Sequence, residues 1–136
     1  SAYCCSESVT DDQKEFANKL CSSFGKVMPL SESYFPLFCS IAGCAPAYAY
    51  MFIDSLARSA VKNGMNKSVA LEIAAQTVLG SAKKILESDE HPWELIDKVC
   101  SPGGTTIEGI VSLQKDGFES AVCNAVDAAL QKDKKV

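Results

Sequence analysis

A short loop that leads into a helix, residues 101–108, carries the side chains and backbone groups best suited to bind a ligand. Pro102 fixes its own φ angle, whereas Gly103 and Gly104 allow backbone angles closed to other residues and let a ligand approach the main chain. Apolar residues recur at helical spacing from Ile107 onwards. The sequence therefore predicts a tight turn that ends at the N-terminus of a helix.

This predicted helix start is a candidate anion site. The backbone N–H groups of Gly104, Thr105 and Thr106 have no partner inside the helix, and the positive end of the helix dipole lies beside them. The hydroxyl groups of Ser101, Thr105 and Thr106 add further donors, so the stretch is suited to a carboxylate or a phosphate. The alternative is an ordinary helix cap, because Thr105 and Glu108 have the spacing of a capping box.

A cysteine nucleophile is a second chemical possibility. Cys100 lies beside the loop and His91 is the only histidine, but a helix that starts with a proline separates them, and packing is the favoured role for the thiol. Asp89 and Glu90 are interpreted as a solvated turn, with a contribution to a site as the alternative. Neither G-x-G-x-x-G after a strand nor G-x-x-x-x-G-K-[ST] occurs, so the sequence carries no nucleotide-binding motif.

Composition restricts the class of protein. The chain has 136 residues, enough for one cored domain or a piece of a larger enzyme, and its net charge of −4 argues against nucleic-acid binding. Seven cysteines without a C-x-x-C pair fit neither a disulfide framework nor a zinc site, so reduced thiols and no metal are expected. Neither a signal peptide nor an apolar run of about eighteen residues is found, and we expect a soluble, cytoplasmic protein without a membrane partner.

The first thirty or so residues predict a strand, a helix and a second strand. Residues 3–5 favour a strand, a capping box of Thr10 and Gln13 starts a helix that ends near residue 24, and residues 26–30 favour another strand. Two such short strands do not make a stable sheet alone. We interpret them as the edge of a larger sheet whose remainder lies outside this chain.

The rest of the chain is predicted to be mainly α, with breaks at residues 42–46, 64, 88–92, 100–104 and 117. Two long helices, residues 46–63 and 67–87, are apolar on most faces, which is typical of central helices. Six charged residues inside these helices argue against a membrane span: Asp54, Arg58, Lys62, Glu72, Lys83 and Lys84. Because one small bundle has little interior for two such helices, the pattern predicts an interlocked homodimer.

Six motifs together have a counterpart in one enzyme family. They are His91-Pro92, residues 97–107 (D-K-V-C-S-P-G-G-T-T-I), residues 74–80 (A-A-Q-T-V-L-G), residues 43–48 (G-C-A-P-A-Y), residues 61–64 (V-K-N-G) and Gly117-Phe118. Over residues 25–130 the sequence resembles the C-terminal domain of the pyrroline-5-carboxylate reductase family.

The resemblance implies an architecture and an assembly. Members of that family have an N-terminal Rossmann domain for NAD(P)H and a helical C-terminal domain that interlocks two subunits, similar to the C-terminal domain of 6-phosphogluconate dehydrogenase. Residues 1–32 would be the terminal strand, helix and strand of a truncated nucleotide-binding domain. Residues 33–136 would be the helical dimerisation and substrate-binding domain. The implied assembly is a homodimer, with a higher oligomer of dimers as an extension.

The resemblance also implies a function, the reduction of 1-pyrroline-5-carboxylate to L-proline with NAD(P)H, the last step of proline biosynthesis. This chain would supply the dimer interface and the carboxylate site, and we expect it to bind no cofactor and to be inactive alone. The alternatives are a stand-alone structural or assembly module derived from the same domain and a related imine or opine-type dehydrogenase. The choice between NADPH and NADH stays open.

Site residues follow from the same resemblance. Thr106 would be catalytic, because its hydroxyl reaches the ring nitrogen of the substrate in that family. The substrate-binding residues would be Ser101, Gly103, Gly104, Thr105 and Thr106. The residues beside the nicotinamide would be Gly43, Cys44, Ala45 and Pro46.

Four positions depart from the pattern of the family. Cys44 and Ala45 stand where a serine and a second glycine are usual, which makes the cofactor side of the site less certain than the carboxylate side. Arg58 and Asn66 replace an acid and a proline that are often seen, and both are expected at the surface.

Overall fold

The computed structural model describes residues 1–133, which form two compact units. The first unit comprises Ser1–Cys44 and the chain from residue 128 onwards, and the second comprises Ala45–Asp127. The predicted mainly helical architecture is confirmed. The assignment of residues 1–32 and 33–136 to two domains stays a prediction.

The first unit begins with two short parallel strands joined through a helix. Strand β1 (Ala2–Tyr3) pairs with β2 (Met28–Pro29), and α1 (Asp11–Ser22) connects them. The predicted capping box is present: the Thr10 hydroxyl accepts the Gln13 N–H at 3.4 Å, and the Gln13 side chain accepts the Thr10 N–H at 3.0 Å. The order of strand, helix and strand is confirmed, although both strands are shorter than predicted.

The next stretch was predicted to break at residues 42–46, and this prediction is wrong. A 3₁₀ turn (Glu32–Tyr34), α2 (Phe35–Phe38) and a π-helical turn (Cys39–Cys44) run directly into α3 (Ala45–Lys62). A proline inside an α-helix clashes with the carbonyl four residues before it. The wider π turn just before Pro46 changes that spacing, so the chain stays helical through the proline.

This continuous helical stretch, Glu32–Lys62, corrects a second expectation. Its 31 residues, with a mean hydropathy of 1.4 over an 18-residue window, are long and apolar enough to cross a membrane. The core helix of a soluble protein passes the same test, so the property is weak evidence for a membrane span. Only 6% of that 18-residue window is buried within this chain.

In the second unit, α3 is followed by α4 (Lys67–Leu86), α5 (Pro92–Val99), α6 (Thr105–Lys115) and α7 (Phe118–Asp133), of which residues up to 127 belong to this unit. Gly64, with φ of 97°, turns the chain between α3 and α4. Asn66 starts α4, since its side-chain oxygen accepts the Ser68 N–H at 2.9 Å. Arg58 pairs with Asp54, and both Arg58 and Asn66 are exposed, as predicted.

The core between α3 and α4 consists of alanines. Ala57, Ala70 and Ala74 are buried, and Ile53 and Ala60 pack against them. Small side chains let the two helices approach closely, but they remove little apolar surface from water. Among residues 1–133, no large side chain is fully buried.

The surface left exposed is unusually large. The chain exposes 10550 Å² at a mass of 14.5 kDa, whereas a folded monomer of that mass exposes about 6,900 Å². Much of the exposed surface is apolar: Met51 is 74% exposed and Leu79 is 61% exposed. The excess of about 3,650 Å² per chain is larger than the roughly 1,000–2,500 Å² that each partner commonly buries in an obligate dimer.

Part of this apolar surface forms a groove of about 430 Å³ along α3. The rings of Phe52 and Phe118, which both line the groove, have their centroids 5.9 Å apart, and the Tyr48 hydroxyl donates to the Ala125 carbonyl at 3.4 Å. Met51 and Leu113 also line the groove.

Candidate functional site

The candidate anion site lies in the connection between α5 and α6. We call residues 100–104 the glycine loop. Gly103 has φ of 68°, a left-handed angle that favours glycine. The Gly104 N–H donates to the Ser101 carbonyl at 3.0 Å and closes the turn, and α6 begins at Thr105. The predicted tight turn that ends at a helix start is therefore present.

The predicted capping box at this helix start is wrong. Gly104 is the N-cap residue, with extended angles (φ −80°, ψ 167°), and no side chain caps the helix. Thr105 already lies inside the first turn, where its hydroxyl is displaced from the position that a capping side chain takes. The Thr105 hydroxyl therefore does not cap the helix, and capping does not compete with ligand binding by this group.

The set of free backbone donors is shifted by one residue from the prediction. The N–H of Gly104 is used in the turn, so it is not available to a ligand. The N–H groups of Thr105, Thr106 and Ile107 are in the first turn of α6. Within residues 1–133, they donate a hydrogen bond to no acceptor. Three adjacent donors at the positive end of a helix are a suitable seat for an anion.

The Ser101 side chain lies beside Gly104, the N-cap residue of α6. A Cβ built on Gly104 would overlap the Ser101 hydroxyl oxygen and would lie 3.0 Å from the Ser101 carbonyl oxygen. Only a glycine at position 104 therefore lets the serine hydroxyl occupy its place. Ser101, Thr105 and Thr106 are exposed, so these three hydroxyl groups are accessible to a ligand from solvent.

The close approach of Ser101 to Gly104 can be tested by stability. Gly104→Ala is expected to lower the free energy of unfolding by about 1 kcal/mol, because the new methyl group would crowd the Ser101 carbonyl oxygen at 3.0 Å and would make the exposed hydroxyl rotate away. Gly109→Ala is the matched control in the same helix. Nothing lies within 4 Å of its Cβ position, so it is expected to stabilise by about 0.5–1 kcal/mol. Thermal unfolding of both variants measures the difference, and a neutral Gly104→Ala would contradict the geometry.

The residues predicted beside the nicotinamide occupy a helical transition. Gly43 and Cys44 complete the π-helical turn, and Ala45 and Pro46 begin α3. Gly43 has open space where a Cβ would stand, and Cys44 is exposed. Their role beside a cofactor stays a prediction.

His91 has a structural role that the sequence analysis missed. Its ring Nδ1 accepts the Trp93 N–H at 3.2 Å, and the Glu94 carboxylate accepts the His91 N–H at 3.0 Å. The pair forms a capping box at the start of α5. A search for the usual Ser, Thr, Asp or Asn caps passes over a histidine, although the glutamate three residues later was a visible signal.

The Cys/His nucleophile hypothesis gains no support from this arrangement. The eight residues of α5 separate His91 from Cys100, and they rise by about 12 Å along the helix axis. Glu90, interpreted as part of a solvated turn, is half-buried and paired with Lys98. The hydrogen bond from Lys98 holds the pKa of the Glu90 carboxyl below its usual value. Within residues 1–133, no group of three or more His, Cys, Asp or Glu side chains is arranged to hold a metal ion.

Comparison with known proteins identifies relatives over nearly the whole chain. The family model described as pyrroline-5-carboxylate reductase dimerisation matches residues 32–136. The chain is 43% identical to the pyrroline-5-carboxylate reductase of Escherichia coli (strain K12) over 113 residues, 83% of this chain and 42% of that protein. It is 38% identical to that of a Synechocystis species over 136 residues, 100% of this chain and 51% of that protein. The chain thus spans about half the length of the curated relatives it matches.

Solved structures of two reductases are similar to this chain over nearly its whole length. Plasmodium falciparum pyrroline carboxylate reductase with NADP bound superposes with a TM-score of 0.91 at 36% identity, covering 98% of this chain and 54% of that one. The 1-pyrroline-5-carboxylate reductase of Streptococcus pyogenes superposes with a TM-score of 0.91 at 41% identity, covering 96% of this chain and 51% of that one.

Proposed function

Because this chain belongs to the pyrroline-5-carboxylate reductase family, we propose that it is the dimerisation and substrate-binding part of a reductase that converts 1-pyrroline-5-carboxylate to L-proline with NAD(P)H. The relatives are about twice as long as this chain. We assign binding of the dinucleotide to the part of such a reductase that these residues do not include. The activity therefore belongs to the complete polypeptide.

One observation carries the proposal for the substrate. Three free N–H groups at the start of α6, together with the exposed Ser101 hydroxyl beside Gly104, suit the carboxylate of an amino-acid precursor. Backbone N–H donors do not titrate, so the charge state of the donors themselves does not change with pH. The substrate-binding residues proposed are Ser101, Gly103, Gly104, Thr105 and Thr106, with the two glycines shaping the turn.

Thr106 is proposed to position the reacting ring. Bound NAD(P)H would supply a hydride to the carbon of the C=N bond, and the ring nitrogen must gain one proton before or during that transfer. A threonine hydroxyl is too weak an acid to protonate the imine nitrogen alone, so its role is to hold the nitrogen by a hydrogen bond, while the proton comes from water or is already on the nitrogen as the iminium. Gly43, Cys44, Ala45 and Pro46 would face the nicotinamide.

A homodimer is proposed to cover the apolar surface. The excess exposed area, the alanine core and the apolar stretch Glu32–Lys62 all favour a partner with an apolar surface. A second copy of this chain has such a surface. The described family of dimerisation domains supports the same assembly. A higher oligomer of dimers and a cytoplasmic location complete the proposal.

The proposal is tested by assaying the complete polypeptide with NADPH and with NADH. Consumption of the cofactor in the presence of 1-pyrroline-5-carboxylate, with L-proline as the product, is the expected result. A panel of linear and cyclic imines is the control for a related imine or opine-type dehydrogenase. Turnover of the panel without turnover of 1-pyrroline-5-carboxylate would refute the assigned substrate.

A further inference from the structure

The π-helical turn before α3 contains a buried polar side chain that the proposed reaction does not use. Among residues 1–133, the buried residues are three alanines of the core between α3 and α4 and one serine, Ser40, which is 2% exposed. The Ser40 hydroxyl donates to the Pro36 carbonyl at 3.0 Å. This burial is provided by the chain itself, so association with a second copy can only add to it.

Burial distinguishes Ser40 from similar hydroxyls in the regular helices. The hydroxyls of Ser55, Thr77 and Ser81 also donate to the carbonyl four residues earlier, at 2.7, 2.8 and 2.9 Å, and all three residues are exposed. An exposed hydroxyl can replace such a bond with a bond to water at little cost, whereas a buried one that loses its partner is left unsatisfied. The bond of Ser40 is therefore the one that the structure must keep.

The serine lies at the point where the helix changes type. The π-helical turn begins at Cys39, whose N–H already donates to the Pro36 carbonyl. In an α-helix, the N–H of Ser40 would bond this same carbonyl. The serine hydroxyl competes with that backbone bond, and side-chain bonds of this kind often bend helices. The buried hydroxyl thus favours the wider turn over continuation of the α-helix.

The type of turn determines where the backbone of the next residues lies. Gly43 and Cys44 complete the π-helical turn. Backbone bonds in a π turn span five residues, whereas those in an α turn span four. A return to the α-helix would therefore rotate Gly43 and Cys44 by about one residue step, about 100° around the helix axis.

We propose that Ser40 is a positioning residue for the cofactor side of the reductase site: its buried hydroxyl holds the π-helical turn, and the turn places the backbone of Gly43 and Cys44 for contact with the nicotinamide. Ser40 acts through the turn and does not touch the cofactor. The role toward the cofactor rests on the proposed function. The structural part, that the hydroxyl holds the turn, is independent of the reaction.

Hydrogen exchange in the complete reductase, without cofactor or substrate, tests the structural part. The backbone amides of residues 39–44 are expected to exchange about tenfold faster in Ser40→Ala than in wild type, because the variant loses the bond that holds the turn. Ser81→Ala is the matched control: it removes the same kind of bond from an exposed position in α4 and should leave these amides unchanged. Equal exchange in wild type and Ser40→Ala would overturn the inference.

The affinity for NADPH tests the role toward the cofactor. The Kd of the complete reductase for NADPH, measured by fluorescence titration, is expected to rise about tenfold in Ser40→Ala, the equivalent of one buried hydrogen bond. The KM for 1-pyrroline-5-carboxylate should change much less, because the glycine loop is unaltered. A general loss of structure would instead raise both constants together. Faster exchange at residues 39–44 with an unchanged Kd would overturn the positioning role.

Ser40→Cys keeps the test decisive if the alanine variant does not fold. A thiol is a weak donor and suits a buried position. This variant is expected to change hydrogen exchange and the Kd for NADPH in the same direction as alanine, and wild-type values of both would refute the need for the hydroxyl. If wild type bound NADPH but reduced no imine, the proposed function would fail, whereas the comparison of exchange rates would still decide whether Ser40 holds the turn.

Discussion

In the complete reductase, replacement of Thr106 by alanine is expected to lower kcat for 1-pyrroline-5-carboxylate about ten- to a thousandfold. KM should change much less, because the carboxylate keeps the Ser101 hydroxyl and the N–H groups at the start of α6. The loss reflects a ring nitrogen that is no longer held for reaction. Steady-state kinetics with saturating NAD(P)H measures both constants.

Two neighbouring variants are the controls for Thr106→Ala. Thr106→Ser keeps a hydroxyl at the same position and is expected to recover most of the turnover. Thr105→Ala is expected to have a small effect, because its backbone N–H, and not its side chain, is proposed to bind the carboxylate. A reductase in which Thr106→Ala kept wild-type kcat/KM while Thr105→Ala lost it would show that the assigned roles are wrong.

Met51→Glu is expected to prevent formation of the homodimer and to abolish activity. Met51 is 74% exposed in this chain and lines the groove along α3. A carboxylate buried there by the partner would have no counter-ion, which costs several kcal/mol. Light scattering after size-exclusion chromatography measures the assembly.

Two further variants separate loss of the dimer from loss of the fold. Met51→Leu preserves the apolar character and is expected to stay dimeric and active. Lys62→Glu also adds a negative charge to α3, but at an exposed position in its last turn, and should leave the dimer intact. A stable, well-folded monomer of the wild-type chain at micromolar concentration would contradict the proposed assembly.

The long helices were the most predictable part of the fold. Residues 46–63 and 67–87 were predicted, and Ala45–Lys62 and Lys67–Leu86 are observed. A proline at the start, a glycine at the end and continuous apolar residues are local signals. They predict a helix without knowledge of how it packs. Exposure of their apolar faces in the single chain agrees with the interlocked dimer that the sequence predicted.

The errors concern positions where local signals compete. Pro46 and Gly43 indicated a break, but a π-helical turn accommodates the proline, and the chain stays helical. Thr105 with Glu108 matched a capping box, yet the turn closed by Gly104 makes the glycine the cap. Such choices depend on how the preceding loop enters the helix, which spacing alone does not determine.

The anion site was predictable in kind but not in detail. Its loop, its helix start and its hydroxyl groups follow from residue types, whereas the identity of the free N–H groups depended on one hydrogen bond, from Gly104 to Ser101. The overlap of Ser101 with the space beside Gly104 needed three-dimensional geometry. The substrate itself came from the resemblance, because an anion seat alone does not distinguish one carboxylate from another.

The most direct test of the central claim, that the glycine loop and α6 hold the substrate carboxylate, is the preference for a carboxylate-bearing substrate. The measurement is kcat/KM of the complete reductase for 1-pyrroline-5-carboxylate and for 1-pyrroline, which lacks the carboxylate, in wild type and Ser101→Ala. We expect wild type to prefer the former strongly, and Ser101→Ala to lose about tenfold or more of that preference, the strength of one hydrogen bond to a charged group. An unchanged preference in Ser101→Ala, or equal use of both substrates by wild type, would contradict the account.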